Sequence, residues 1–313
     1  MTSNKFLFRV LGACLAFALL SACSIKRVAV NKLGNALASG GSTYERDDDP
    51  DLVGEALPFG LKLIESLLAE SPRHQGLLLA AASGFTEYSY AFVEQRAEET
   101  AEESLQRGNA LRARARRLYL RAHGYAVRGL EARYPGFGDA LDRDPSAALA
   151  RTRKRDVPLL YWAAAAHGLA ISTSKDQPEM IAQLPQVEAL INRVMELDES
   201  WGDGMAPEFL INLEAARTGA NPQQQRERMR GYFDRALKLS GGGRASLYVS
   251  YAENTCVPAQ NRAGFQSLLD QALRVDPDQR PETRLANLIA QRRARRLLGR
   301  MDELFLEPAK PAN

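Results

Sequence analysis

The side chains able to do chemistry in this 313-residue chain are few and scattered. Three histidines, His74, His123 and His167, stand apart, and none has a second His or a Cys at metal-ligand spacing. HExxH and CxxC are absent, so no metal site is expected. A zinc centre needs several converging nitrogen or sulfur donors. His123-Gly124 and His167-Gly168 share a pattern, a packed polar ring beside a glycine that permits close helix approach. Cys256 sits at a helix end before Val257-Pro258 with no His nearby, which reads as an inert buried thiol. The run GGG at 241–243 lacks the Lys and Ser/Thr of a phosphate loop and reads as a connection. Glu98-Glu99 and Glu102-Glu103 lie beside Arg96 and Arg107 and read as solvated surface. No catalytic set or cofactor loop is expected, and the chain does not read as an enzyme.

The one position with a clear covalent chemistry is Cys23. Lys5 and Arg9 form a positive start, and residues 10–20, VLGACLAFALL, are an apolar run too short to span a bilayer. Leu20, Ser21, Ala22 and Cys23 then form a lipobox. Residues 1–22 are expected to be a lipoprotein signal peptide, with Cys23 thioether-lipidated as the new N-terminus. The leader carries two of the 41 basic residues and none of the 38 acidic ones, so net charge falls from +3 to +1. A near-neutral chain outside the cytoplasm gives no reason to expect a nucleic-acid partner. Cys256 is then the one thiol left, and no intramolecular disulfide is expected. Ser24 follows the lipidated Cys where an inner-membrane protein would often carry Asp. The periplasmic face of the outer membrane is the expected address.

Residues 23–48 read as a flexible tether and 49–306 as a single helical domain, with a tail at 307–313. The cluster ERDDDPD (45–51) fails as a calcium loop, because Leu52 and Pro58 stand where a turn Gly and a bidentate Glu are needed. It fits a helix start better: Asp49 as N-cap, Pro50 in the first turn and Asp51 facing the positive end of the dipole. Apolar side chains at a 3.6-residue period predict helices over 50–69, 74–99, 101–134, 157–172, 179–198, 205–218, 222–239, 245–256, 261–275 and 281–299. Gly and Pro punctuate the gaps, and no convincing strand pattern occurs. The third helix carries an Arg-rich face from Arg107 to Arg133, expected to be solvated or locally paired. RRARR (292–296) suits internal pairing and a partner contact equally.

Helix ends repeat. LLAESP (67–72), VMELDE (194–199), ALKLSG (236–241) and ALRVDP (272–277) share one pattern, an apolar pair closing on a polar stop. The last two are 36 residues apart, close to the ~34 of tetratricopeptide repeats. The first-helix consensus is mostly missing. The expected fold is all-α: an α-solenoid of irregular, cryptic tetratricopeptide-like helix pairs that bury a shared core.

Five strings taken in order resemble a known family: DVPLLYWAAAAHGLAIS, STSKDQPE, WGDGMAPEFLINLEAA, FDRALKLSGGGRASLYVSYAENTCVPAQNRAGFQSLLDQALRVDP and RLANLIAQRRARRLL. They are similar to the TatT-like T component of TRAP (tripartite ATP-independent periplasmic) transporters, from about Asp49 to Phe305. The resemblance implies a non-enzymatic periplasmic lipoprotein with a cavity. Its implied partners are the solute-binding P component and a small hydrophobic ligand, with homo-oligomers among its states. Lipid attachment carries over onto Cys23. Cavity lining carries over onto Tyr161, Trp162, Trp201, Phe209, Tyr248 and Tyr251. The alternative is a generic outer-membrane scaffold for envelope assembly.

DVPLLYWAAAAHGLAIS focuses the choice. Its apolar part is about 15 residues and holds His167, against the ~20 that a span needs. It is expected to be a central buried helix capped by Asp156. Tyr161 and Trp162 lie ~100° apart on it. One is therefore expected in the core and the other, Trp162, on a cavity wall.

Overall fold

A computed structural model describes residues 41–174, 176–217 and 219–306, together with Lys32 and Gly34. The expected signal peptide, Cys23 and most of the tether lie outside these residues, as does the tail from 307. Among the described residues there are helices and no strands.

The elements are α1 (Gly41–Glu45), α2 (Pro50–Glu70), α3 (Gln75–Tyr88), α4 (Gln95–Glu103), α5 (Leu105–Glu131), α6 (Phe137–Arg143), α7 (Pro145–Ala150) and α8 (Val157–Ser172). Then follow α9 (Pro178–Ile181), α10 (Leu184–Asp198), α11 (Met205–Ala215), α12 (Pro222–Ser240), α13 (Ala245–Tyr251), α14 (Arg262–Arg274), α15 (Arg284–Gly299) and α16 (Met301–Leu304). Local chemistry sets the starts. The Asp49 carboxylate accepts from the Asp51 and Leu52 amides, with Pro50 in the first turn. Asn221 and Asn261 do the same for α12 and α14.

Several boundaries differ from the sequence reading. The helix expected at 101–134 begins at Leu105, because Ser104 turns extended and caps it. The helix expected at 179–198 is split before Leu184. The pair α6 and α7 was not expected, although Asp144-Pro145 is a cap-and-first-turn signal; the Asp144 carboxylate accepts from the Ala147 amide. The end of the expected tether is ordered as α1, which packs on α15. Two expected α-helices contain π-helical turns, Ser89–Glu94 after α3 and Ala252–Cys256 after α13. Ser89 and Thr255 each return a hydroxyl hydrogen bond to the carbonyl four residues back, at 2.6 Å. Asp156 stands at the α8 cap position but does not cap it. Its buried carboxylate turns back to accept from the Arg153 amide and the Tyr134 hydroxyl, and pairs with Arg133.

Successive helices form two rows. In one row α3, α8, α11, α13 and α15 touch in that order. In the other, α5, α10, α12 and α14 pack across them. Helix α8 is buried on nearly every side, so it shows no polar stripe to read as amphipathic. Its alanines allow that crowding. The two glycines expected to permit close approach behave differently. A Cβ on Gly168 would lie 2.8 Å from the Phe209 ring, whereas a Cβ on Gly124 would meet nothing within 4 Å.

The array closes on itself. Helix α15 reaches α1 and α2, and its arginines join the two ends. Arg292 holds Asp51 through both guanidinium nitrogens, at 2.7 and 3.1 Å. Arg293 grips Glu98 of α4, at 2.9 and 3.2 Å, and Glu253 of the second π turn, at 3.0 and 2.9 Å. Arg296 bonds Glu98 at 2.9 Å and Glu102 at 2.6 Å. RRARR therefore pairs internally. Glu98 is a half-buried structural partner rather than the solvated surface expected of it, while Glu102 is exposed as expected and pairs with Arg296. Among the described residues, no buried apolar cluster crosses this seam. The Arg face of α5 is solvated, with Arg114, Arg121 and Arg128 lying over the Tyr88, Phe85 and Tyr125 rings.

Two mutational outcomes are expected. Gly124→Ala, in open space mid-helix, should stabilise by about 0.5–1 kcal/mol, and Gly168→Ala should destabilise by about 1–3 kcal/mol through overpacking on Phe209. Urea unfolding checks both; equal signs would contradict the packing described. Arg293→Met should cost about 3 kcal/mol, since it leaves Glu98 and Glu253 facing each other. Amide exchange should then rise in α4 and α15 and stay slow in α8. Unchanged exchange in α15 would mean that the seam does not close the ring.

Candidate functional site

Several desolvated polar groups lie on or beside the first row of helices. Glu87 is the single charged residue between His74 and Glu94. Its side chain is exposed, yet burial pushes its carboxyl up to about 8, with Glu45 adding repulsion. Tyr90, in the first π turn, is 38% exposed, yet burial pushes its hydroxyl up to about 12. Both π turns bring polar groups to Arg293. Tyr90 and Glu94 on one turn and Glu253 on the other surround Arg293 electrostatically. Glu94 accepts from the buried Tyr119 hydroxyl, and burial raises its carboxyl as well.

The aromatic residues singled out in the sequence fall into two groups. Tyr161 is the hub of the first. Its ring centre lies 5.1 Å from Trp162, 5.0 Å from Trp201 and 6.5 Å from Phe209. Tyr161 and Trp162 are both buried, at 7% and 8% exposure. The expectation that one of them leaves the core is corrected. Rings on adjacent helical positions reach far enough to meet edge to face, and α8 has neighbours on every side to receive them. Trp201 and Phe209 are half-buried. Tyr248 and Tyr251 belong elsewhere. They pack on Phe233 of α12, at 6.0 and 4.3 Å, in a separate core.

The turn Trp201-Gly202-Asp203-Gly204 aims Trp201 at Tyr161. Gly202, Asp203 and Gly204 all have positive φ, at 59°, 57° and 87°, a costly run for the non-glycine member. Two arginines hold it. Arg244 donates to the Gly202 carbonyl at 3.2 Å, and Arg280 to the Asp203 carboxylate at 2.6 Å. Arg244 also pairs with the buried Glu208 at 2.9 Å. Among the described residues Tyr161 has no hydrogen-bond partner; burial, then Glu208, raises its hydroxyl, which feels Arg244 and Glu87 as well. Glu87, Tyr90, Glu208 and Arg244 were missed in the sequence, whereas Arg293 stood out there as part of RRARR. Only Glu87 carried a signal there, as a lone charge in a long apolar helix.

His123 and His167 meet, with ring centres 4.4 Å apart. His123 bonds the Ala163 carbonyl at 3.0 Å and His167 bonds Gln183 at 2.7 Å, while Nδ1 of His167 is buried without a partner. Among the described residues no three metal-ligating side chains converge. Burial holds both rings below the ordinary 6.5, His123 at about 4 with His167 repelling its charge. The unfolded chain therefore binds protons that the folded one refuses. Stability should be intact above pH 6.5 and fall as pH drops toward 4, by about 1.4 kcal/mol per pH unit for His123, with His167 acting in the same direction. His123→Gln should flatten that decline between pH 6.5 and 4.5; an unchanged slope in urea midpoints would remove the pair from it.

No helix among the described residues is long and apolar enough to cross a membrane. An uncharacterized protein of Treponema pallidum (strain Nichols) is 30% identical over 317 residues, covering 94% of this chain and 97% of that protein. The sequence model described as the TRAP transporter T-component matches residues 46–305, the stretch that runs from the start of the ring through its closing arginines. The chain belongs to the TRAP transporter T-component family.

Proposed function

We propose that this T component acts as a periplasmic lipoprotein, tethered by an acyl group on Cys23 to the inner face of the outer membrane. There it binds the solute-binding P component of its transporter and receives a small, largely apolar ligand beside the aromatic group around Tyr161. The observation that carries this reading is the group of aromatic rings around Tyr161, with Trp162, Trp201 and Phe209 at 5.1, 5.0 and 6.5 Å. Enclosed, mostly apolar space with a few placed polar groups is the usual form of a small-molecule site. Accessory binding of this kind needs no catalytic set.

A scaffold role in envelope assembly is the second reading. It draws on the deep burial of Tyr161 and Trp162, which suits a packed core better than a bare cavity wall. A desolvated, unpaired carboxyl in the same interior has no purpose in a pure scaffold and costs stability at neutral pH.

Affinity capture from envelope extract with the full chain should recover a TRAP solute-binding protein, and a Cys23→Ala form should lose membrane fractionation but keep that partner. Trp162→Phe should keep the fold and alter ligand affinity, whereas Trp162→Ala should destabilise by about 3–5 kcal/mol. Recovery of envelope-assembly proteins without a solute-binding protein would favour the scaffold.

A further inference from the structure

Charge is distributed unevenly over the surface. From Leu105 to Leu130, α5 holds seven arginines and no acidic residue. The arginines of α15 that close the ring all find carboxylates. On α5, among the described residues, only Arg121 forms a salt bridge, at 3.4 Å to Glu65. Arg107, Arg114, Arg117 and Arg121 are exposed and Arg128 is half-buried. These five positions fall within about 80° of one another around the helix and span about 32 Å along it. Aromatic rings hold three of them: Arg114 lies 6.0 Å from the Tyr88 ring, Arg121 5.4 Å from Phe85 and Arg128 5.3 Å from Tyr125. A stacked guanidinium keeps N–H donors free for oxygen acceptors. Leu120, 39% exposed, and Gly124, with open space beside it, border the stripe. The stripe continues onto α4 through exposed Arg96, which lines an open depression with Arg107; Glu103 is the one acidic residue in that lining.

We propose that this face of α5 docks on an anionic phospholipid bilayer, its guanidinium groups donating to lipid phosphates. The path of the chain favours a bilayer over an acidic protein. A Cβ on Gly34 would lie 3.0 Å from Leu77 and 3.2 Å from His74, so Gly34 sits at the start of α3. That place adjoins the Arg128 end of the stripe. Arg128 donates there to the Pro72 carbonyl at 3.3 Å, and Gln75 to the Gly129 carbonyl at 3.0 Å. Cys23 precedes Gly34 by 11 residues, a reach of at most about 40 Å. The residues between them include Lys26, Arg27 and Lys32 and no acidic one. An acyl group on Cys23, as proposed above, therefore brings a bilayer to the stripe, and the inference rests on that attachment. Cations held at an anionic surface each add to binding. A lipid anchor alone fixes one point and leaves the domain free to turn. A line of charge about 32 Å long selects one orientation.

Vesicle flotation tests this with the full mature chain carrying Cys23→Ala, which has no acyl group. The vesicles are pure phosphatidylcholine, or equal parts phosphatidylcholine and phosphatidylglycerol. The chain should bind the mixed vesicles only, and about 0.5 M salt should release it. Arg107 and Arg117 have no side-chain partner among the described residues. The double variant R107Q/R117Q should bind about thirtyfold more weakly. R226Q/R274Q removes the same charge from α12 and α14 and should change binding by less than about threefold. Equal losses from the two variants, or no binding to the mixed vesicles, would overturn the docking face. So would R107Q/R117Q binding vesicles normally while failing to capture the solute-binding protein, which would assign the stripe to an acidic protein instead. An intact mass of the native chain without acyl groups would overturn the anchor alone, because the vesicle assay uses an unacylated chain.

Discussion

A row of helix pairs has two ends, and in this protein arginine joins them. Helix propagation and apolar burial build the array from α2 to α15, but neither brings the last helix to the first. Arg292, Arg293 and Arg296 do so by meeting Asp51, Glu98, Glu253 and Glu102 across a seam that no buried apolar cluster bridges. Guanidinium suits that task, because its planar fork satisfies two carboxylate oxygens at once and tolerates partial burial. Arg293 uses it twice, gripping one carboxylate from each end of the chain.

Closure has an electrostatic consequence. In an open solenoid, side chains on the concave face would be hydrated and would titrate normally. In this protein desolvation is the largest influence on Glu87, Tyr90, Glu94 and Tyr161. The π turns fit this picture. Each shifts a helix register next to the seam and turns Tyr90, Glu94 or Glu253 toward Arg293, and such turns recur where a helix must redirect a few side chains.

The deep burial of α8 has a second effect. A helix with neighbours on all sides can carry adjacent aromatics without exposing either, and it can hold a histidine against another from α5. Polar groups in that core are nearly all satisfied, through Gln183, the Ala163 carbonyl and the Asp156 cluster. The unbonded Nδ1 of His167 is the exception. Function and core stability therefore share one helix, and substitutions at Tyr161 or Trp162 act on both.

The sequence by itself determined the all-helical class, the cap at Asp49, the central position of residues 157–172 and the family to which the chain belongs. Those depend on local periodicity, cap chemistry and the order of motifs, all of which are written along the chain. It also pointed to the aromatic group around Tyr161, though not to its packing. The tertiary structure alone decided that RRARR closes a ring, that His123 meets His167, that Glu87 is desolvated, and that Tyr248 and Tyr251 lie apart from Tyr161. These pairings join residues up to 241 positions apart, as Arg292 and Asp51 are. A charge carries no mark of its partner until the chain has closed, and a carboxyl's desolvation is set by everything folded around it rather than by its neighbours in sequence.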